Sequence, residues 1–526
     1  MEEEPEAVTL NSLANDLVAR ILLASGATTV GRAACTCRRF RDLAVDLRYT
    51  PACASSLVRV PPAEDSEQQA TTWPQRFRDA AVAAARASLG KLRSGSVSFV
   101  ILAASPQPSR RVRLPELLES VVRWMPGGQS VPVLGLFSSA VVGPTRDGAV
   151  EEHEDAVVAL VVSLPAGYSA TVSTPMHEFG EEVEPHTEAD LLRWLRAPPG
   201  CASPAWCAFW MGPNFDPHTG GDDMFAIPFE LSRIFPACAI VGGAVRGIAA
   251  FGSYSAGNKA DLVTAATLTV WPPPPDGGRN PAKLRVGALA ARGLAPCGAV
   301  HLVEDLESVL EPGHEPADDE LVPQLVSTRP LGPALGVGVI MAPCALLAEV
   351  VTARIQRDVP FLHIWREEDD GAQSNRARTA FDVDFNPEFD RCVVLAPTTF
   401  KPGPGKPRVL CQLMKQDAGA ARACSRAGAQ SLAAYVTGAS GADVQRCVVS
   451  AVCNGRGASL FGGEEHVEAA ALGAAFGDAV IGVVCGGELG PIADVPLLDR
   501  PMPATATLQA FTNCLAALGM PVGASV

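Results

Sequence analysis

The sequence predicts an α+β protein with mixed layers of helices and sheets, on the strength of three observations. Short apolar runs of strand length alternate along the chain with helical segments, which is typical of layered folds and not of a sandwich. The 48 glycines and 44 prolines among 526 residues indicate many turns and short elements. Hydrophobic residues make up 48% of the chain, enough to bury sizeable cores.

Each predicted element rests on a local pattern of apolar residues. Strands are predicted where β-branched and aliphatic residues run together, at 97–102, 156–162, 265–270, 391–395 and 447–452. Helices are predicted between them, at 73–92, 114–125, 188–196 and 418–436.

One pattern occurs three times, at 131–143, 237–247 and 478–490. In each copy a helix is followed by a tight turn and an apolar strand that glycines interrupt. Glycine inside a strand usually marks a bulge or the close approach of another backbone. The spacing is too irregular for a solenoid, so we interpret the copies as duplications of one α/β unit.

Charge and cysteine content narrow the classes of partner and compartment. A net charge of −15 argues against a general nucleic-acid binder, which needs a basic face. The 15 cysteines are scattered singly, which favours reduced thiols in the cytoplasm or nucleus. The acidic start of the chain is unlike a secretory signal, and no apolar run is long enough to cross a membrane. We therefore expect a soluble intracellular protein with neither nucleic acid nor membrane as a partner.

The first residues read as a separate helical module at 8–60. Leu13, Leu17, Ile21 and Leu22 have amphipathic helical spacing, and a second helix follows at 31–44. So small a unit has little core of its own and often relies on a partner. Residues 61–72 show no apolar period and are predicted to be a linker.

This module resembles the F-box family. The resemblance lies in the segment that begins Leu13-Ala-Asn-Asp-Leu17 and in Cys37-Arg-Arg-Phe40-Arg-Asp-Leu43. It departs from the family at Ala14, where the family prefers proline. The resemblance implies docking to a Skp-type adaptor and, through it, to a cullin ubiquitin ligase. The implied adaptor contacts are Leu13, Leu17, Ile21, Leu22, Cys37, Phe40 and Leu43. The alternative is an ordinary three-helix cap that packs on the next domain.

A second resemblance, to the FIST domain family, covers most of the remaining chain. Its C-terminal half is similar to the turn Cys453-Asn-Gly455-Arg456 and the later segment Gly486-Gly487-Glu488. The N-terminal half is more loosely similar through 135–143 and 236–247. The implied domains are an N-terminal half at 73–310, a C-terminal half at 331–500 and a tail at 501–526.

Together the two resemblances imply a substrate receptor of a cullin ubiquitin ligase. The FIST region would recruit an unidentified protein substrate for ubiquitination and degradation, and the chain would catalyse nothing itself. No cofactor and no metal site is predicted, because the eight histidines are dispersed and no C-x-x-C is present. Bacterial members of the FIST family are thought to sense small ligands, so an amino-acid-like sensing module is the alternative function.

The residues of the second resemblance have several possible roles. A nearby Arg456 would favour the thiolate of Cys453, whereas the alternative is an inert cysteine at the end of a buried strand. Arg456 and Glu488 are expected to pair and pin two glycine turns together, or to line a ligand pocket in which Arg456 binds a carboxylate. The candidate pocket residues are Cys453, Gly455, Arg456, Gly486, Gly487 and Glu488.

Overall fold

The computed structural model describes most of the chain beyond residue 50. The described ranges are 51–61, 69–92, 96–125, 130–174, 187–212, 222–251, 261–274, 283–308, 321–330, 360–366, 379–386, 391–397, 403, 408–438, 443–491, 506–509 and 512–522. These residues form three six-stranded mixed sheets, six helices that cover them, and a closed six-stranded barrel. The predicted α+β class is confirmed. No helix within these ranges is long and apolar enough to cross a membrane.

The first of three similar units occupies residues 52–163. Its elements are β1 (Ala52–Arg59), α1 (Gln69–Lys91), β2 (Phe99–Ala104), α2 (Leu114–Trp124), β3 (Val133–Phe137), β4 (Val141–Pro144), β5 (Val150–His153) and β6 (Ala156–Ser163). Four of its strands lie side by side in the order β1-β6-β2-β3, with only β2 and β3 parallel. β2 and β6 are buried along their whole length, so their sequences are continuous apolar runs.

The second unit, at residues 169–271, repeats this order of elements. They are β7 (Ser169–Ser173), α3 (Glu188–Trp194), β8 (Trp206–Met211), α4 (Asp222–Ile234), β9 (Ala239–Ala244), β10 (Gly247–Phe251), β11 (Asp261–Val263) and β12 (Ala265–Trp271). Again the third and second strands, β9 and β8, are parallel, and the others are antiparallel. The repeat is therefore one of topology as well as of sequence pattern.

The third unit has the same order but carries the barrel as an insertion after its first strand. Its elements are β13 (Arg285–Arg292), α5 (Ala418–Thr437), β20 (Val444–Cys453), α6 (Val467–Phe476), β21 (Val480–Cys485), β22 (Glu488–Pro491), β23 (Ala506–Gln509) and β24 (Thr512–Pro521). The barrel strands are β14 (Leu294–Ser308), β15 (Leu321–Pro330), β16 (Pro360–Arg366), β17 (Thr379–Asn386), β18 (Arg391–Pro397) and β19 (Val409–Gln416). They close in the order β14-β15-β18-β17-β16-β19.

The helices begin where their sequences provide start signals. Pro115 stands in the first turn of α2, where its missing N–H costs nothing. Asp417 caps α5 by accepting the amide of Ala420 at 2.6 Å, and Thr187 caps α3 through the amide of Asp190. The buried residues of α2 follow the spacing i, i+3, i+4, i+7 and i+8, so one apolar stripe packs on the sheet.

Each unit gives a pair of strands to the sheet of another unit. β4 pairs with β21, β10 with β3, and β22 with β9, so the donation runs in a closed cycle. The complete sheets are sheet I (β1-β6-β2-β3-β10-β11), sheet II (β7-β12-β8-β9-β22-β23) and sheet III (β13-β24-β20-β21-β4-β5). The three repeated sequence patterns are the crossovers from one sheet to the next. At Gly242 an added Cβ would lie 1.5 Å from the carbonyl oxygen of Phe209, which explains one of the repeated glycines.

The three sheets enclose one central core, and the helices form three outer ones. The central cluster includes Ile101 from sheet I, Trp206 from sheet II and Val449 from sheet III. The outer clusters lie under α1 and α2, under α3 and α4, and under α5 and α6. The units therefore share a core that none of them contains alone.

The predicted end of the helical module at residue 60 is wrong. Residues 1–50, with every predicted adaptor contact, lie outside the described residues. Ala52–Arg59, however, is strand β1, which pairs along its length with β6. Its small residues and serines gave it a weaker strand signal than the aliphatic runs. The linker predicted at 61–72 also ends too late, because α1 begins at Gln69.

The division into halves at 73–310 and 331–500 does not describe the fold, which has three units. β13 lies in the first predicted half, yet it pairs with β24 in the predicted tail at 501–526. The prediction that 501–526 forms a tail is wrong as well. β24 lies between β13 and β20 in sheet III, and Thr512–Met520 is buried throughout. Its alanines and glycine hid a central strand, because small residues carry little hydrophobic signal.

A serine pair on β1 tests the contact between the first and third units. The Oγ of Ser55 lies 2.8 Å from the carbonyl of Asp478 and 2.6 Å from that of Val480, and it accepts the Val480 amide at 3.0 Å. The hydroxyl of neighbouring Ser56 is buried without a partner among the described residues. Ser55→Ala is expected to lower the free energy of unfolding by about 1–3 kcal/mol, because it leaves the buried Val480 amide without its hydrogen-bond acceptor. Ser56→Ala, the matched control, should be neutral or stabilising in urea unfolding. Equal losses would contradict the role given to Ser55.

Candidate functional site

A cavity of about 770 Å³ opens where the three crossovers meet. Ser139 and Ala140 line it from the β3–β4 crossover, Val245 and Arg246 from β9–β10, and Gly486 from β21–β22. It lies outside the carboxyl ends of the parallel strands β20 and β21. In open α/β sheets, ligands bind at such a place, where the strand order switches. The volume is within the range of small-molecule sites.

Backbone hydrogen bonds between units hold the cavity floor. Each crossover is bonded to a strand end of a different unit, so the three turns form a closed ring. The bonds run from the amide of Val484 to the carbonyl of Ala140 (3.1 Å), from Gly486 to Ala244 (3.0 Å) and from Arg246 to Phe137 (2.8 Å). These bonds connect the cavity floor to all three units.

Two histidines stand on one wall of the cavity, close to each other. The Nε2 of His153, at the end of β5, lies 2.6 Å from the Oε2 of Glu151. His466 precedes α6 in the left-handed conformation, with φ of 62°, and its Nδ1 accepts the amide of Glu152 at 3.0 Å. The two imidazole centroids are 5.2 Å apart. The hydrogen bond from the Glu152 amide to His466 joins the first and third units across 314 positions of sequence.

The protonation of this wall follows from its burial. Hydrogen bonding to His153 lowers the pKa of Glu151, so this carboxyl is a carboxylate that accepts the Nε2 proton. Burial lowers the pKa of His153, which keeps the imidazole neutral at pH 7. Burial also raises the pKa of Glu152 to about 7, and the negative charges of Glu468, Glu154 and Glu465 add to the rise.

The cavity also offers a cation. Arg246 lines it with an exposed side chain, and the carboxyl groups of Glu152, Glu154 and Glu465 line it too. The cavity thus presents groups of both signs, a composition that suits a ligand with both charges.

The structure brings part of the predicted pocket to this cavity. Cys453 ends β20 half-buried, and Gly455 lies in the short 3-10 turn Asn454–Arg456 that follows. Asn454 and Gly486 line the cavity. Gly487 accepts the amide of Ala244 at 2.9 Å and so belongs to the ring of crossovers.

Arg456 is the centre of a buried polar network. Its side chain is fully buried and binds Glu468 through Nε at 2.9 Å and Nη2 at 2.5 Å. It also donates to the carbonyls of Ala291 and Ala421. The second oxygen of Glu468 accepts hydrogen bonds from Ser425 at 2.6 Å and Asn513 at 2.8 Å. The network joins α5, α6, β13 and β24.

The predicted pairing of Arg456 with Glu488 is therefore wrong, as is its role as a carboxylate ligand in the pocket. Its partner is Glu468, in the first turn of α6. No local pattern indicated this partner, because Glu468 stands in an alanine-rich helix, where a glutamate is expected to be solvated. The same pairing engages the cation that would have activated Cys453.

Glu488 is also structural. It is fully buried, and its Oε2 accepts the amide of Thr512 at 3.1 Å and the Thr512 hydroxyl at 3.0 Å. Burial raises its pKa to about 8, against the hydrogen bonds from Thr512 and Cys453, which lower it. The nearby Cys485 is buried, and burial together with the charge of Glu488 raises its pKa well above the ordinary value. This thiol is not a nucleophile at neutral pH.

Four residues of the cavity wall were not predicted from the sequence. They are Glu152, His153, Arg246 and His466. The run Glu151-Glu-His153 lies in the strand that pairs with the end of the first repeat, and this short acidic and histidine-containing run was a usable signal. Nothing in the sequence indicates that this run meets His466, because the contact depends on β4 and β5 joining sheet III.

Comparisons with known proteins leave the family of this chain open. No protein-family model and no curated protein matches it. Among solved structures, a chorismatase crystal structure aligns with 70% of this chain and 98% of that chain, at 9% identity and a TM-score of 0.19. A likeness this low carries no argument about fold or function.

The Arg456 network predicts a large loss of stability on truncation. Arg456→Ala leaves the Glu468 carboxylate buried without its cation, which should lower the free energy of unfolding by about 3–5 kcal/mol in urea denaturation. The matched control is Arg422→Ala. It breaks an equally well-formed bidentate pair with Glu464 on the surface, where water screens the charges, and should cost far less. Similar losses for the two variants would rule out a special role for the buried pair.

Proposed function

We propose that the α+β body binds a small zwitterionic ligand in the central cavity, and that it is the recognition part of a ubiquitin-ligase receptor docked through the N-terminal module. The observation that carries the first part is the presence of Arg246 and of three glutamates around one cavity. An exposed guanidinium binds a ligand carboxylate bidentately, and carboxylates in the same cavity bind an ammonium group. Amino acids and short peptides carry both groups.

The ligand is expected to stabilise the protein against heat. Full-length protein would be screened by thermal shift with the common amino acids and with dipeptides. A ligand at 100 times its dissociation constant stabilises the folded state by about 2.7 kcal/mol. Arg246→Ala should abolish most of the shift, because the carboxylate loses its cation.

The control for that experiment is Arg123→Ala, which removes a highly exposed arginine on α2 that does not line the cavity. It should leave the ligand shift unchanged. A flat response of the wild-type protein across the panel would contradict ligand binding, as would an undiminished shift in Arg246→Ala.

The ligase role rests on the sequence of the N-terminal module. The order Cys37-Arg-Arg-Phe40-Arg-Asp-Leu43 resembles the F-box ending, and the apolar face of Leu13, Leu17 and Ile21 is suited to packing on an adaptor. In this role the chain contributes proximity. It holds a substrate lysine near a charged ubiquitin-conjugating enzyme and raises the effective concentration of the two groups.

Adaptor docking is expected to depend on the apolar face of the first predicted helix. Leu17→Asp with Ile21→Asp should abolish co-purification of a Skp-type adaptor, because two charges would be placed in an apolar contact. Deletion of residues 1–50 should have the same effect, while the thermal shift with ligand persists. Absence of the adaptor from the wild-type preparation would overturn the ligase role, and adaptor binding that survives the double substitution would overturn docking through this face. Neither outcome bears on the ligand site.

A further inference from the structure

The histidine wall, which is the part of the cavity lined by His153 and His466, carries a second cluster of polar side chains. Glu151, His153 and His466 each present one ligand atom, and these three atoms lie within 4.8 Å of one another. Within the described ranges this is the group of histidine, cysteine and acidic side chains that meets this spacing. Two imidazoles and one carboxylate form the donor set of many mononuclear metal sites, which leave further coordination positions open.

We propose that Glu151, His153 and His466 bind one divalent first-row transition metal ion. The donor set decides the class of ion. Imidazole nitrogen suits Zn²⁺, Co²⁺, Ni²⁺ and Fe²⁺, whereas Mg²⁺ and Ca²⁺ prefer sites made wholly of oxygen. Bonds of about 2.0–2.2 Å to nitrogen and oxygen place neighbouring ligand atoms roughly 3–4 Å apart. The observed cluster needs only a small adjustment to reach that spacing.

The hydrogen bonds of His153 and His466 show what an ion would replace on binding. The Nε2 proton of His153 lies between the ring and the Glu151 carboxylate. The neutral ring carries only this proton, so an ion that binds Nε2 and the carboxylate takes its place, and the proton moves to Nδ1 of the same ring. The Nδ1 lone pair of His466 accepts the Glu152 amide, and the ion replaces that amide as its partner. No group is oxidised or reduced.

The surroundings support the three ligands. Arg59 forms an ion pair with Glu151 through Oε2, the oxygen that His153 also contacts, and so holds the carboxylate in place. Glu152, Glu154 and Glu465 line the same cavity and add negative charge, which favours a cation. His153 and His466 also line the cavity, so the remaining coordination positions of the ion face its interior.

Co²⁺ titration of the full-length protein tests this site without any organic ligand. The chain would be treated with EDTA, desalted, and titrated while visible absorption is recorded. One Co²⁺ per chain is expected, with weak d–d bands and no intense thiolate-to-cobalt band near the ultraviolet. Excess Zn²⁺ should remove the bands by competition.

Substitutions locate the ion. His153→Ala and His466→Ala should each weaken Co²⁺ binding by at least about tenfold, since each removes one of three protein ligands. The matched control is Glu464→Gln, which removes an exposed carboxylate close to His466 that pairs with Arg422 and does not line the cavity, and should keep the spectrum. Far-UV circular dichroism of each variant separates loss of the site from loss of the fold, and His153→Gln is the second variant if His153→Ala does not fold.

Three outcomes would overturn the proposal. They are no stoichiometric Co²⁺ binding by the wild-type chain, a spectrum dominated by thiolate ligation, and binding that survives when both histidines are replaced. None of these outcomes depends on the thermal-shift screen with amino acids and dipeptides or on adaptor docking.

Discussion

The three sheets depend on one another because each is completed by a hairpin from another unit. β10 and β11 extend sheet I, β22 and β23 extend sheet II, and β4 and β5 extend sheet III. A unit cut from the chain would therefore lack the two strands that complete its sheet and expose the edge that a neighbour covers, which invites aggregation. The cavity has the same origin. It exists only where the three crossovers meet, so its walls come from all three units.

The buried pair of Arg456 and Glu468 connects this architecture to the histidine wall. Glu468 lies two residues after His466, so its bonds to Arg456, Ser425 and Asn513 fix the first turn of α6 against sheet III. The position of the His466 ring follows from that anchor and from the Glu152 amide. Arg456, which the sequence indicated as a candidate ligand-binding residue, thus positions the residues that face the cavity.

Local patterns predicted the elements well, and long-range pairing limited the rest. The helices Leu114–Trp124 and Ala418–Thr437 and the strand Ala156–Ser163 lie within a few residues of their predicted bounds, because each has a strong period or a wholly buried run. Strands β1 and β24 were missed because serine, alanine and glycine conceal their burial. The site was found only in part, since Gly486 belongs to a repeated local motif, whereas the meeting of His153 with His466 depends on a crossover between units.

The order of the strands along the chain also has a consequence for synthesis on the ribosome. Ser138, at the crossover into β4, bonds to Val484, which is 346 positions later. At about 5–20 residues per second, the hairpin of β4 and β5 waits on the order of 20–70 seconds for its partner strand to be made. During that interval the nascent chain presents β4, the apolar strand of this hairpin, without its partner. We therefore expect the nascent chain to rely on chaperones more strongly than its final, well-covered sheets suggest.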